Sequence, residues 1–231
     1  MSKLEVIVLN EQDAEMAEAY GADRLELVTA IGEGGLTPSY GVIKRVVNRV
    51  NIPVMVMIRP HSHSFVYQKE EWDVMREDIK MAKELGASGI VFGGLTAKGS
   101  VDFSILEMVV KEAGSMSVTF HRAIDEAMPI EIYKSLCESG LKINQVLTSG
   151  GRPNVMEGLQ TLRDLVEDSV NGTDKPVIMP GSGLGLHNIE FVHETLQAPY
   201  YHFGSGVRKN GDFRYTIDGG ILERIKEIVT R

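Results

Sequence analysis

The stretch S-V-T-F-H-R-A-I-D at 117–125 brings three ionisable residues to the end of a short apolar run. The apolar positions need a core, whereas His121, Arg122 and Asp125 need solvent, a partner or a ligand. An imidazole titrates near neutrality, and a nearby carboxylate can orient it for proton transfer. Asp125 lies four residues beyond His121, close enough for a tight loop to bring it back. Capping the helix that follows is an equally plain role for it.

Other apolar runs end the same way. Val54 to Ile58 leads into Arg59, Val146 and Leu147 into Thr148-Ser149-Gly150-Gly151, and Val177 to Met179 into Pro180-Gly181-Ser182-Gly183. Glu26 alternates with Leu25 and Leu27 and therefore faces away from both. Glu5 and Arg24, in neighbouring strands, are expected to pair inside the fold. Glu26 and Arg59, nearer the mouth, are expected to reach solvent and to be free for function. Arg59 and Arg122 suit two-pronged binding of an anion. G-S-G at 181–183 and at 204–206, with S-G-G at 149–151, offer backbone N–H groups to an oxyanion. Gly181, Ser182, Gly183, Gly204, Ser205, Ser149 and Gly150 are thus candidate ligand contacts, while Glu26, Arg59, His121 and Asp125 are candidate catalytic residues.

These groups need a scaffold that gathers strand ends. Apolar runs begin near Leu4, Arg24, Pro53, Gly89, Ser117, Gln145, Val177 and Tyr200. That is one per about 29 residues, enough for a strand and a crossover helix. Segments 11–19, 41–49, 72–85, 103–113, 130–139, 155–166, 187–196 and 219–230 carry apolar residues at threes and fours, as helices do. Gly21, Gly86, Gly114 and Gly140 stand where left-handed helix caps are wanted. Eight βα units without a linker predict one α/β domain over 1–231, a (β/α)8 TIM-type barrel with its site at the strand C-termini. A doubly wound open sheet is the alternative, although it usually has fewer units for this length.

Composition narrows the partners. There are 24 basic residues against 32 acidic, a formal net charge of −8, with no basic cluster. This argues against nucleic acid and anionic membrane surfaces. The apolar run in M-S-K-L-E-V-I-V is too short for a signal peptide, and Glu5 interrupts it. The single cysteine, Cys137, excludes an intramolecular disulfide framework, so a cytoplasmic location is expected.

Several chemistries have no residues to perform them. No lysine ends a strand, which leaves a Schiff-base aldolase without a nucleophile. There is no H-E-x-x-H, C-x-x-C or G-x-S-x-G. His61 and His63 flank Ser62 and would turn the same way in an extended loop, and Met55 and Met57 share one strand face. These four are the candidate metal ligands, although a solvated polar loop for the histidines and a flexible core filling for the methionines are the favoured readings.

Taken together, G-A-D-R-L-E-L (21–27), E-G-G-L-T-P-S-Y-G (33–41), I-R-P (58–60), T-F-H-R-A-I-D (119–125), V-L-T-S-G-G (146–151) and I-M-P-G-S-G (178–183) closely resemble the CutC copper homeostasis family. The resemblance runs from about residue 4 to residue 206. It implies a cytoplasmic TIM-barrel protein that takes part in copper tolerance or intracellular copper handling, and a homo-oligomer. Relatives for which copper(I) ligation is proposed use cysteines in the first strand and just after the E-L of the second. Here those places hold apolar residues such as Ile7, Val8 and Val28, so the thiolate pair is absent. The acid, arginine and histidine set is fully present. Two expectations follow: a copper-handling protein, or an enzyme using acid–base chemistry on a small anionic metabolite, phosphorylated ones included.

Overall fold

Alternation along each strand sorts the side chains into two populations. In β1 (Lys3–Val8), Leu4, Val6 and Val8 are fully buried among helix residues, while Glu5 and Ile7 turn the other way. The pattern repeats in β2 (Arg24–Leu27), where Leu25 and Leu27 oppose Arg24 and Glu26, and in β3 (Val54–Met57), where Val54 and Val56 oppose Met55 and Met57. The computed structural model describes residues 1–231. β4 (Gly89–Phe92), β5 (Ser117–Phe120), β6 (Gln145–Thr148), β7 (Val177–Pro180) and β8 (Tyr200–Phe203) complete the set.

All the paired strands are parallel, in the order β7-β6-β5-β4-β3-β2-β1-β8, and a parallel bridge between Gly181 and His202 joins the ends. The result is a (β/α)8 barrel with an outer ring of α1 (Glu11–Ala19), α2 (Tyr40–Val47), α3 (Lys69–Glu84), α4 (Phe103–Ala113), α5 (Pro129–Glu138), α6 (Leu159–Asn171), α7 (Ile189–Leu196) and α8 (Gly219–Thr230). Most of the hydrophobic core lies between strands and helices, in one cluster of 54 buried residues. Truncating one of these, such as Leu25→Ala, removes apolar burial and leaves a cavity, at a cost of about 2–5 kcal/mol.

Helix starts differ from the periodicity reading where caps decide them. α3 begins at Lys69 rather than at 72, because Gln68 and Glu71 form a capping box. α6 begins at Leu159 rather than at 155. The Val155 N–H donates to the Ser182 carbonyl instead, which holds 152–158 as turns.

The barrel interior is partly polar. Register places Glu5 beside Arg24 and His202, Ile7 beside Glu26, and Thr119 beside Gln145. Met55 fills the space beside Gly89, where a Cβ would overlap its thioether. Glu5 and Arg24 form the expected buried ion pair at 2.6 Å, with the Arg24 guanidinium over the Tyr200 ring.

Candidate active site at the barrel mouth

Above the Glu5–Arg24 pair, Glu26 and His202 come together. His202 Nδ1 lies 2.8 Å from Glu5 Oε1, and its Nε2 lies 3.7 Å from Glu26 Oε2. Glu26 Oε1 is buried with no partner. The expectation that Glu26 reaches solvent is corrected here, since the residue is only 2 % exposed. Burial pushes its carboxyl up to about 7, with His202 pulling it back only in part. Burial alone would lower the His202 imidazole, but Glu26 and Glu5 raise it above its ordinary value. Burial would likewise raise Glu5, yet Arg24 and His202 hold it low.

His202 was not singled out from sequence. The parity that turned Glu26 inward applies equally to it, because Tyr201 and Phe203 are fully buried on the outer side.

Glu26, His202, Arg59, His121 and Arg122 line one cavity of about 100 Å³, whose apolar wall includes Ile7, Met57, Phe65 and Leu147. Arg59 is buried too, contrary to the solvent access expected of it. Its Nη1 donates to the carbonyls of Glu33 and Gly35, each at 3.3 Å, and Phe65 stacks 4.6 Å from the guanidinium. The fork is therefore held by the loop at 33–35, with Nε left unpartnered. A second cavity of about 570 Å³ shares Gly34, Arg59, Phe65 and Arg122 and is lined further by Ser62, His63 and Thr96.

His121 follows β5, and its ring packs 4.9 Å from Phe65. Its Nδ1 accepts from the Ala123 N–H at 3.1 Å, and Nε2 is buried without a partner. Burial, reinforced by the Arg59 charge, drops its pKa to about 3. The ring is thus neutral at ordinary pH.

Asp125 takes neither role expected of it. No hydrogen bond joins it to His121, and α5 has no side-chain cap. Its carboxylate accepts instead from Arg122 Nε (2.8 Å), Thr148 Oγ1 (2.5 Å), Ser149 N and Oγ (both 3.0 Å), and Gly151 N (2.9 Å). Those bonds clamp the loop after β5 to the loop after β6. Arg122 Nη2 also donates to Ser149 Oγ, while the Gly150 N–H is taken by Thr148 Oγ1. Ser149 and Gly150 belong to this clamp.

The two later glycine loops stand apart from both mouth cavities. The Gly181 N–H donates to the Thr148 carbonyl and is not free for an anion. Ser182 has φ 87°, and its hydroxyl donates to the Pro153 carbonyl. The N–H groups of Gly183 and Gly204 make no bond within the protein. Nearby, the fully buried Arg208 joins Asp13 at 2.6 Å and the Ile7 and Tyr215 carbonyls, tying the loop of Ser205 to β1.

Copper(I) favours thiolate, thioether and imidazole donors. Cys137 lies in α5 beside Tyr133, away from the mouth. The Met179 sulfur takes up an Arg24 N–H at 3.5 Å, and Met55 and Met57 pack among apolar neighbours. His61 stacks on His63 but pairs with Glu71 at 2.6 Å. Glu5, Glu26 and His202 do hold their donor atoms within 4.8 Å of one another. Arg24 already neutralises Glu5, however, and carboxylate oxygens suit hard cations. The donors present do not fit copper(I).

The CutC family model matches residues 2–206. The family protein CutC of Salmonella newport (strain SL254) is 35% identical over 250 aligned positions, covering 100% of this chain and 98% of that protein. Among solved structures, the copper homeostasis protein CutC from Streptococcus agalactiae has a TM-score of 0.79 and 30% identity, over 88% of this chain and 98% of that one. Phosphoribosyl anthranilate isomerase from Thermococcus kodakaraensis has a TM-score of 0.64 at 16% identity over 99% of each chain, a likeness of fold alone. With the family model covering most of its length and its strand-end motifs in order, the chain belongs to the CutC family.

Proposed function

We propose that this chain takes part in copper homeostasis, and that its molecular act is acid–base chemistry on a small anionic metabolite rather than copper(I) ligation. The first part is supported by family membership and by the name of the Streptococcus agalactiae relative. The second is carried by one observation: a buried Glu26, 3.7 Å from His202, opens on a cavity walled by Arg59. A carboxyl poised near 7 serves as a base at neutral pH. A fixed guanidinium stabilises negative charge on a bound substrate. Gly183 and Gly204, with free N–H groups, are a further place for an oxyanion. A single cysteine, Cys137, accords with a reducing cytoplasm, and homo-oligomers are proposed from the family resemblance alone.

The test is a thermal-shift screen of copper(I) against small carboxylates and phosphorylated metabolites, since binding to the native state raises apparent stability. A Tm increase with an anion that is lost in Arg59→Ala supports the proposal. Tight stoichiometric copper(I) binding with no response to any anion would overturn its molecular part.

A further inference from the structure

Among the residues lining the 100 Å³ chamber, His121 Nε2, Glu26 Oε1 and Arg59 Nε are buried polar atoms that no protein group satisfies, and the first two are of opposite sense. The state of the first follows from geometry. A nitrogen that accepts from the Ala123 N–H carries a lone pair, so the proton of the neutral ring sits on Nε2. Gly93 is needed for this placement, because a Cβ there would overlap Nδ1. His121 therefore presents an N–H donor. Glu26, three strands away around the barrel, presents an acceptor that is a base when ionised. A buried donor and a buried acceptor left unpaired are each costly, and a ligand that meets both removes the cost.

We propose that the chamber takes a small carbonyl compound, its oxygen hydrogen-bonded by His121 Nε2–H and a hydrogen on the adjacent carbon facing Glu26. This rests on the acid–base reading above and names its substrate class and reaction. The Glu26 carboxylate removes the proton. The C–H electron pair becomes the C=C bond, and the carbonyl π pair moves to oxygen as an enolate. The His121 N–H and the Arg59 charge stabilise that oxygen. Glu26, now protonated, returns the proton to the same carbon, so no oxidant or reductant is required. With its pKa near 3, His121 stays a neutral donor throughout the physiological range.

The chamber holds about three waters' worth of space at ~30 Å³ each, which limits the reacting head to a few non-hydrogen atoms. The 570 Å³ cavity beyond Phe65 shares Arg59 and Arg122 with the chamber and accommodates an anionic remainder.

The experiment uses the whole chain, ¹⁵N-labelled at histidine, and three probes: oxalate as a planar enolate mimic, pyruvate, and dihydroxyacetone phosphate. Histidine ¹⁵N spectra should show His121 as the Nε2–H tautomer, unchanged from pH 5 to 8. Oxalate should move that N–H proton downfield. In D₂O, hydrogens next to the carbonyl of pyruvate or dihydroxyacetone phosphate should exchange, at least 10²-fold more slowly in Glu26→Gln. An Nδ1–H tautomer, or a His121 titration between pH 5 and 8, would overturn this proposal while leaving the acid–base reading intact. Oxalate binding that leaves Nε2–H unmoved, or no exchange above background with either carbonyl probe, would also overturn it. If no small anion binds the wild-type chain at all, the acid–base reading itself falls. The tautomer and the oxalate shift are read on the wild-type protein and do not depend on any variant folding.

Discussion

Two carboxylates sit at the same end of this barrel and live opposite lives. Asp125 gathers donors from Arg122, Thr148, Ser149 and Gly151. Glu26, equally enclosed, has one oxygen with no partner and the other 3.7 Å from an imidazole. A saturated carboxylate is a clamp, since its lone pairs are used and its donors would be stranded without it. An unsaturated one retains the capacity to take a proton. Partner count separates these two residues where burial and location do not.

The largest effect should come from breaking the clamp. Asp125→Ala strands the Ser149 and Gly151 N–H groups and the Thr148 hydroxyl, and should cost about 3 kcal/mol in urea unfolding. A cost below about 1 kcal/mol would mean that the two loops do not depend on it.

Glu26→Gln should act in the other sense. In the folded chain the Glu26 carboxyl is raised from 4.5 to about 7, so the folded state holds the proton more tightly than the unfolded one. That contribution to stability is complete below pH 4.5 and is lost as pH rises to 7. The variant escapes this loss and should gain on wild type between pH 5 and 8 in a series of unfolding titrations. Its turnover of any substrate found should fall by ~10² or more. A constant stability difference across that range would remove Glu26 from the poised class.

His121 sharpens the comparison from the acid side. Its pKa falls from 6.5 to about 3 on folding, so its contribution is present above pH 6.5 and lost as pH drops towards 3. His121→Phe should lose about 1 kcal/mol at pH 7 with the Ala123 contact, and should be the more stable of the two at pH 4, where uptake of a proton has weakened wild type. An equal loss at both pH values would mean that the imidazole charges freely in the folded chain.

Smallest of all should be Cys137→Ala, which should leave copper(I) affinity, measured against a chromogenic chelator, unchanged within error. Loss of tight binding on that change would place copper at α5 and away from the mouth.

The fold was legible because each strand is a local apolar run and each helix a local period. What escaped was set by contacts across the chain. Val155 looks helical by period, but its N–H is taken by Ser182 in the next crossover. Glu26 was read correctly as facing away from Leu25 and Leu27, yet the chamber it lines is shared with Ile31 and Phe65, neither of which leaves a mark at position 26. His202 lay hidden inside Y-Y-H-F, where aromatic neighbours mask one polar residue. Its partner Glu5 is 197 positions away. Asp125 was misplaced because a side chain five residues past a strand can turn to its own helix or to the next loop, and spacing alone does not choose.

His202 occupies the seam where the ring closes, paired in register with Glu5 on one side and bridged to Gly181 on the other. On a ribosome, Glu5, Arg24 and Glu26 emerge while most of the barrel is still unmade, and the imidazole arrives only with the last strand. Until β8 docks, Glu26 has no histidine beside it, and the 100 Å³ chamber lacks one of its walls. The raised carboxyl is therefore a late product of folding, and a half-built chain carries the residues of the site without the enclosure that raises it.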